Sequence, residues 1–371
     1  MVATSMRILL VTPLFFPSLS GAAVYFNTLS QALVGQAPAA RVTILTRALA
    51  DAPRFERRGR VRVLRLLPAV ARRTAMGDRA AGLATVLVTL LVSLALRSQV
   101  VHYHTLVSYR AIHRLAPLFP APLVGDMRDL AARDEGASLT YYRHCSRLIC
   151  ASENILAFLT AGGFTADRLV HIPIPLVPPA LALPARVAGA RARYGLARAT
   201  PYLLFAGAII PGKGVGELVA AMELVWARLP DLHLALAGPL TPAGEALFPG
   251  GFRTRVAREG RLHYLGAVPH DDLMLLLQGA EIFILPSRTE GLGRSCLEAI
   301  ALGRRVILPP GVPEFLRACP EAVLEEVTPK AIAARIERTW QVGAPPAYPL
   351  ERHEAGRVAA LTLAVYRQVA G

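Results

Sequence analysis

Two glutamates in one short stretch are the residues with the clearest capacity for chemistry. The stretch is PSRTEGLGRSCLEAIALGRRVI, residues 286–307, and its glutamates are Glu290 and Glu298. They bracket a glycine-rich run that consists of Gly291, Leu292, Gly293, Arg294 and Ser295. We predict a strand that ends at Pro286, a loop, and a helix that starts near Arg294.

The expected start of this helix favours an anion. Glycines in the loop can adopt positive φ and allow a ligand to approach the backbone N–H groups. The free N–H groups and the dipole of a helix start favour a phosphate. The two carboxylates would accept hydrogen bonds from ligand hydroxyls, so a sugar nucleotide has the required parts. A structural helix with Glu298 on its solvent face is equally compatible with this stretch alone.

A second loop carries a lysine between a predicted strand and a predicted helix. In FAGAIIPGKGVGELVAAM, residues 205–222, Lys213 follows the apolar strand. A lysine in such a loop is a candidate for binding phosphate. The alternative is an ordinary exposed lysine.

Short apolar runs alternate with helical stretches along the chain and would position these loops. The candidate strands are RILLVTP, RVTILT, VRVLRLL, VVHYH, PLVGDM, RLICAS, YLLFAGAI, LHLALAG, LHYLGAV, IFILPS and RRVILPP. Continuously apolar strands that alternate with helices predict parallel sheets covered on both faces. We therefore expect an α/β protein with two doubly wound sheets and ligands at the carboxyl ends of the strands.

A proline-rich segment, IPIPLVPPALALPA, separates the two halves. Proline fixes φ and lacks an N–H, so this segment cannot be a central strand or a helix interior. We predict an N-terminal domain over residues 1–175, a stiff linker over 176–186 and a C-terminal domain over 187–348. Residues 349–371 are typical of a helix, which can pack back on the N-terminal domain. The expected ligand site is the cleft between the two facing sheets.

Four segments of the second half together resemble the donor half of retaining glycosyltransferases of family 4, which have the GT-B fold. They are GAIIPGKGV, LHYLGAVPHDDL, IFILPSRTEGLGRSCLEAIALG and GVPEFL. The family's signature is a Glu, seven residues and a second Glu, as in Glu290 and Glu298. The first half is similar less specifically, through RILLVTPLFFPSLSGAAVYFNTLSQAL, VVHYH and RLICASENILAFLTAGGF. The resemblance covers nearly the whole chain and implies two Rossmann-like domains that face each other across a cleft.

The resemblance implies roles on the donor side. Glu298 would bind the ribose hydroxyls of a nucleotide-diphosphate sugar, and Glu290 the hydroxyls of the donor sugar. Backbone N–H groups from Gly291 to Ser295 would hold the diphosphate, and Val268 would meet the nucleobase through its backbone. Lys213 would neutralise the charge that develops on the leaving phosphate.

The first half would complete the reaction. Gly21 and Ala22 would allow the first loop to approach donor and acceptor, and His104 would lie near the transferred sugar. A core histidine is the alternative for His104. The implied mechanism is front-face transfer with retention, which requires no protein nucleophile, no metal and no cofactor beyond the donor. The donor sugar, its base and the acceptor are left open.

The sequence departs from the family at a few positions. An arginine commonly precedes the lysine, whereas this chain has Ala208 there. We hypothesise that Arg294, where an apolar residue is more usual, supplies the missing phosphate contact. The usual paired glycines of the first loop read Ser20 and Gly21, and the hinge reads IPIP.

The charge of the chain suggests an anionic partner. Its 41 basic and 26 acidic residues give a net charge of +15, which suits a phosphorylated ligand or an anionic membrane. Seven arginines lie between Arg47 and Arg73, namely Arg54, Arg57, Arg58, Arg60, Arg62, Arg65 and Arg72. A following apolar helix, residues 83–96, makes peripheral membrane contact and a lipid-linked acceptor one interpretation. A solvated basic loop over a buried helix is the other, and nucleic acid is disfavoured because no aromatic residues interleave with the arginines.

Alternative functions remain at this point. The four cysteines form no CxxC pair, so we expect reduced thiols in a cytoplasmic protein, with a peripheral place at the inner face of the membrane as an addition. A sugar-nucleotide epimerase of the same fold would require further acid and base groups. A nucleotide-sugar-binding protein with impaired catalysis is favoured by Ala208 and disfavoured by Lys213 and Glu290. A nicotinamide dehydrogenase is disfavoured because no GxGxxG follows the first strand.

Overall fold

Two sheets, one in each half, organise the chain. The computed structural model describes residues 6–68, 75–104, 112–128, 130, 139–197 and 200–371. Unit 1 contains Met1–Val177 and Glu351–Gly371, and unit 2 is Pro178–Leu350.

Unit 1 is built on an eight-stranded sheet with the order β3-β4-β2-β1-β5-β6-β7-β8. The strands are β1 Arg7–Val11, β2 Arg41–Arg47, β3 Phe55–Arg58, β4 Val61–Leu67, β5 Val100–His104, β6 Leu123–Met127, β7 Arg147–Cys150 and β8 Leu169–His171. All neighbours are parallel except β3 and β4, which pair antiparallel.

Unit 2 is built on a five-stranded parallel sheet with the order β11-β10-β9-β12-β13. Its strands are β9 Tyr202–Ala206, β10 His233–Ala237, β11 Leu262–Gly266, β12 Ile282–Ile284 and β13 Arg305–Ile307. The central strands are buried along their length, as their apolar sequences require. The predicted α/β class with parallel sheets is confirmed.

The described α-helices cover the two sheets. They are α1 Gly21–Gln36, α2 Ala75–Ala95, α3 Ile112–Leu115, α4 Glu153–Ala161, α5 Pro184–Arg193, α6 Val215–Val225, α7 Pro242–Glu245, α8 Phe252–Arg258, α9 His270–Gly279, α10 Arg294–Ala301, α11 Pro313–Ala318, α12 Pro329–Val342 and α13 Ala355–Ala370. None of them, within the part of the chain that is described, combines the length and the apolarity needed to cross a bilayer.

Each sheet has a point where the strand order reverses. In unit 1, β1 pairs with β2 on one side and with β5 on the other. In unit 2, β9 pairs with β10 on one side and with β12 on the other. Doubly wound sheets bind ligands outside the carboxyl ends of the strands at such reversals. Ligand-binding residues are therefore expected at the carboxyl end of β5 and in the loops that follow β1, β9 and β12.

The chain crosses between the units at Val177/Pro178 and again at Leu350/Glu351. Residues 184–186 of the predicted linker belong to α5, where Pro184 starts the helix, a position at which proline's missing N–H has no cost. Helix α13 lies within unit 1, against α1. Close to both crossings, the N–H of Leu176 donates to the carbonyl of His353 at 2.7 Å.

The arginine-rich region is not the loop that one of the two interpretations predicted. It forms the β3–β4 hairpin rather than a loop, and Arg65 is buried with only 1% exposure. The Arg65 guanidinium donates to the Glu56 carboxylate at 2.5 Å and to the carbonyl of Phe16 at 2.7 Å. Arg65 is therefore not available to bind an anionic membrane surface. Arg72 and Arg73 lie outside the described residues. The sequence missed β3 because FERR has no apolar run.

Candidate functional site

Backbone contacts join the two predicted donor loops of unit 2. The N–H of Arg288, in the loop after β12, donates to the carbonyl of Gly212 at 2.9 Å. Gly214 has φ +68, and a Cβ there would lie 2.1 Å from the carbonyl oxygen of Pro286. Only glycine fits this close approach, so the lysine loop is held against the glycine-rich loop at the reversal between β9 and β12.

Lys213 and Glu290 form an ion pair across these loops. The Lys213 Nζ lies 2.5 Å from Glu290 Oε2, and the carboxylate is mostly buried. The lysine side chain remains 22% exposed, whereas the Glu290 side chain is 8% exposed. The sequence predicted both residues separately, and the fold brings them together.

Glu298 is held by two donors on one of its oxygens. Its Oε1 accepts from His270 Nε2 at 2.9 Å and from Arg294 Nε at 2.8 Å. Burial alone would raise the pKa of the Glu298 carboxyl, but the bond from His270 and the charge of Arg294 outweigh it and hold that pKa below its ordinary value. Glu298 is thus an ionised, buried acceptor, which contradicts a place on the solvent face of the helix.

The start of α10 is aligned with the end of β9. Gly293, with φ +74, precedes the helix, and the Ser295 hydroxyl donates to the carbonyl of Ala206 at 3.2 Å. The first N–H groups of a helix have no intrahelical acceptor and attract anions. Gly291 and Leu292 complete the loop between Glu290 and this helix start, and both are buried.

His270 is a residue that the sequence analysis did not single out. It starts α9, two positions after Val268, and its ring reaches Glu298. The contact places the turn that contains the buried Val268 beside α10. The sequence signal for His270 was its position after a predicted strand and a proline. Its bond to Glu298 could not be predicted, because that bond depends on how α9 packs.

In unit 1, the predicted residues follow β1 and end β5. Ser20 caps α1 by accepting from the N–H of Ala23 at 3.1 Å, so Gly21 and Ala22 form the first turn. A Cβ on Gly21 would meet no atom within 4 Å. The space beside Gly21 would accommodate a side chain, so the local structure does not require glycine at this position.

His104 ends β5 and is buried against α1. Its ring lies edge-on to Phe26 with centroids 6.1 Å apart. Burial and the nearby charge of Arg128 hold the pKa of His104 well below its ordinary value, so the ring is neutral at physiological pH. Its Nδ1 is buried and has no hydrogen-bond partner among the described residues.

A second cluster lies beside His104, and the sequence analysis did not predict it. His102 Nδ1 lies 2.5 Å from the Tyr366 hydroxyl of α13, and His102 Nε2 lies 3.1 Å from Asp126 Oδ2. Arg128 lies 3.4 Å from Asp126 Oδ1 and stacks over the Tyr25 ring at 3.5 Å.

Asp126 is the only acid in this network. Burial would raise the pKa of Asp126, but the Arg128 charge and the bond from His102 lower it to about 2. An ionised Asp126 accepts the Nε2–H of His102, whose Nδ1 then accepts the Tyr366 hydroxyl proton. These two bonds satisfy both ring nitrogens of His102 without a ligand.

The predicted residues therefore gather into one group per unit. Lys213, Val268, Glu290 and residues 291–298 surround the strand reversal of unit 2, while Gly21, Ala22 and His104 lie at that of unit 1. Among the described residues, no group of three or more His, Cys, Asp or Glu side chains could hold a metal ion.

Known proteins share the second unit and the fold. Residues 200–341 match the family model of the glycosyl transferases group 1. A D-inositol 3-phosphate glycosyltransferase of Segniliparus rotundus is 30% identical over 175 residues, 45% of this chain and 37% of that protein. A GDP-mannose-dependent monoacylated alpha-(1-6)-phosphatidylinositol monomannoside mannosyltransferase of Corynebacterium glutamicum is 29% identical over 158 residues, 39% of each chain. The chain thus matches less than half the length of these two relatives.

The structural likeness extends over the whole chain. A sucrose-phosphate synthase from Thermosynechococcus elongatus superposes with a TM-score of 0.75 at 20% identity, covering 98% of both chains. This protein therefore has the GT-B fold. Its second unit carries a domain of the glycosyl transferases group 1 over residues 200–341, and the predicted resemblance of the second half is confirmed.

Proposed function

We propose that this protein is a retaining glycosyltransferase that moves a sugar from a nucleotide-diphosphate sugar to a hydroxyl acceptor. The observation that carries the proposal is the arrangement of unit 2, where Lys213 and Glu290 meet beside the N-terminus of α10. An anion site, a cation and two carboxylates lie at one strand reversal. Such a set matches a diphosphate between two groups of sugar hydroxyls.

The donor roles follow from the geometry of each side chain. Glu298 is ionised and uses Oε1 for His270 and Arg294, so its Oε2 is the oxygen we assign to the ribose hydroxyls. Glu290 accepts the hydroxyls of the transferred sugar, and its contact with Lys213 fixes both side chains before the donor arrives. The N–H groups at Gly291–Ser295 hold the diphosphate, and the backbone at Val268 meets the base.

Lys213 stabilises the charge that develops as the leaving phosphate departs. A fixed cation at that position acts mainly in the transition state, which is where stabilisation accelerates a reaction. Departure and attack on the same face of an oxocarbenium-like sugar would retain its configuration without a protein nucleophile. No step in this mechanism requires a metal.

The acceptor side is assigned to unit 1. His104 is neutral and can exchange hydrogen bonds with sugar or acceptor hydroxyls, and Gly21 and Ala22 leave the first loop open. Arg128, beside His104, is a cation that suits a phosphorylated acceptor. The names of the two relatives mention inositol 3-phosphate and phosphatidylinositol monomannoside, and we propose a lipid-linked acceptor made on the cytoplasmic side.

A thermal-shift panel of UDP-, GDP-, ADP- and TDP-sugars tests donor binding, since a ligand stabilises by RT ln(1 + [L]/Kd). The sugar that raises Tm is then incubated with the protein, and NMR follows the anomeric proton of the first product. Release or transfer with the donor's configuration supports the proposal. Binding without turnover would instead indicate a nucleotide-sugar-binding protein, and an inverted product would exclude the retaining mechanism.

Arg294→Ala tests the compensation for Ala208. If Arg294 contacts the diphosphate, the variant raises the donor Kd by about tenfold or more. Because Arg294 also donates to Glu298, the Kd of the diphosphate nucleotide is compared with that of the free nucleoside. A loss confined to the nucleoside part would assign Arg294 to Glu298 instead, and an unchanged Kd would reject both roles.

A further inference from the structure

Helix α2 exposes its leucines instead of burying them. Leu83, Leu87, Leu91 and Leu94 are between 43% and 64% exposed. Their spacing of four, four and three residues places them on one face of the helix, over about 16 Å. We call this set the leucine face.

The opposite side of α2 is polar and buried. Thr85, Thr89 and Ser93 are each at most 7% exposed, together with the apolar Val86. The Thr89 hydroxyl donates a hydrogen bond to the carbonyl of Thr85 at 2.7 Å, whereas the buried Ser93 hydroxyl has no hydrogen-bond partner among the described residues. A helix that only covered its own sheet would turn its leucines inward. This reversal indicates that a second apolar medium covers the leucine face.

A cationic pocket lies at the end of this face. Leu94 is part of its wall, and its volume is about 340 Å³. The lining residues are Arg7, Leu94, Arg97, Ser98, Gln99, Pro120, Pro122 and Ala370, and none of these described residues is acidic.

Arg97 presents its charge from an unusual backbone. It has φ 47, the one positive φ among the described non-glycine residues, and its carbonyl accepts from Arg7 Nε at 2.6 Å. Neither guanidinium forms an ion pair with any part of the described chain. A residue other than glycine is uncommon in this conformation, which glycine adopts more easily.

The pocket lies at the amino-terminal ends of the strands of unit 1, whereas His104 lies at a carboxyl-terminal end. Arg7 starts β1, and Arg97 and Gln99 precede β5, so they mark the amino ends of the strands. His104 lies at the carboxyl end of β5. The pocket is therefore at the opposite end of β5 from His104, and this inference does not depend on the roles proposed for the site residues.

We propose that the leucine face of α2 lies in the interfacial layer of an anionic phospholipid membrane, with Arg7 and Arg97 on lipid phosphates. Charge decides between a membrane and another apolar partner. Leucines alone would suit any apolar surface. Arg7 and Arg97 line the same pocket as Leu94 and have no ion pair among the described residues, so they complement a phosphate layer, as does the net charge of +15. The β3–β4 arginines are not required.

Vesicle co-sedimentation of the full chain tests this proposal. The vesicles contain equal parts of phosphatidylglycerol and phosphatidylcholine, or phosphatidylcholine alone. We expect binding to the anionic vesicles at about 0.05 M salt and weaker binding at about 0.5 M, because screening weakens the arginine–phosphate attraction. Absence of binding to anionic vesicles at the lower salt would overturn the proposal.

Two variants separate the apolar and the charged contributions. The double variant L87S/L91S should lower the vesicle partition coefficient at least about tenfold. R97G should lower it about fivefold, the effect of one cation near an anionic surface, and glycine fits the backbone at φ 47 without strain. The matched controls are Leu361→Ser, on the exposed side of α13, and Arg57→Gln, on β3, and both should bind like the wild type.

Folding and self-association are measured on the same samples. Circular dichroism melts identify any variant that has lost its fold. Trp introduced as L91W provides a readout that does not depend on a loss of binding, since its emission should shift to the blue with anionic vesicles. Unchanged partition of L87S/L91S would refute the proposal, as would a dimer in sedimentation velocity that these serines dissociate, because a second copy would then cover the face.

Discussion

The strand reversals of the two units hold charged groups in opposite conditions. In unit 2, Lys213 keeps 22% exposure and its pair with Glu290 opens toward solvent. In unit 1, His102 and Asp126 are fully buried, and the hydroxyl of Tyr366 covers them from α13. Equivalent places in two similar sheets thus carry an accessible pair and an enclosed network.

The difference indicates which charges a ligand can use. An exposed pair can exchange its partner for a phosphate or a hydroxyl with little change in hydration. An enclosed network loses its bonds if any member is removed, because a buried charge without a partner is costly. Unit 2 therefore shows groups arranged for binding, whereas the His102–Asp126–Tyr366 network stabilises the fold beside His104. Substitutions of the Lys213–Glu290 pair should affect activity, and substitutions in the His102–Asp126–Tyr366 network should affect stability.

Lys213→Ala should have the largest effect. Loss of a fixed group that stabilises transition-state charge lowers kcat by about 10²- to 10³-fold, while Tm should change little because Lys213 is partly exposed. Donor turnover and a thermal melt measure the two effects. Lys330→Ala, at the other lysine of the chain, is the control and should behave like the wild type. A large fall in Tm with Lys213→Ala would remove the contrast between the units.

Asp126→Asn should destabilise unit 1 by about 3 kcal/mol, since it removes the buried carboxylate that pairs with Arg128 and accepts from the buried His102. Hydrogen exchange measured by mass spectrometry should show faster exchange in β5 and β6, with β9 and β10 unchanged. The exposed Asp51→Asn is the matched control. Equal exchange in the variant and the wild type would mean that the network does not support the fold.

Acid should reduce the advantage of wild type over Asp126→Asn. The pKa of Asp126 is about 2 in the fold, against an ordinary value of 3.8. A lowered pKa contributes stability that is present above the ordinary value and is lost as pH falls through the folded value. The gap in unfolding free energy between the two proteins should shrink by about 2 kcal/mol between about pH 5 and about pH 2. A gap that does not vary with pH would exclude ionised Asp126 as the source.

Tyr366→Phe should have the smallest effect, about 1 kcal/mol. It removes the hydroxyl that bonds His102 but keeps the ring that packs in unit 1. Urea unfolding, monitored by hydrogen exchange in β5, measures the loss of unfolding free energy. Gln368→Ala, on the exposed side of α13, is the control. A loss equal to that of Asp126→Asn would show that the hydroxyl, rather than the charge, holds the network.

The sequence contained the fold and the donor loops but not their partners. Apolar runs predicted eleven of the strands, and β3 and β8 were missed because FERR is polar and LVH is short. Glu290, Glu298 and Lys213 were found because each lies in, or within two turns of, a loop that directly follows an apolar strand. The bonds of His270 to Glu298 and of Tyr366 to His102 join residues that are far apart in the chain, and no local pattern encodes such contacts.

Helix α2 shows the same limit in another form. Its apolar composition was evident, and one of the two interpretations, a solvated basic loop over this helix, predicted that the helix is buried. The structure instead exposes Leu83, Leu87, Leu91 and Leu94. Periodicity placed the leucines on one face but could not decide whether that face pointed to the sheet, because Thr85, Thr89 and Ser93 form an equally regular row.

The two crossings between the units also determine the order in which the chain can fold during synthesis. Domains that are continuous in sequence can fold as they emerge from the ribosome, usually the N-terminal one first. Here unit 2 is continuous, whereas unit 1 lacks Glu351–Gly371 until the end. The later unit can therefore be finished first, while the earlier one waits with His102 and Asp126 uncovered. A nascent chain that stalls before Tyr366 would therefore contain a complete second unit and an incomplete first unit. In that first unit, His102 and Asp126 would lack the cover that α13 provides.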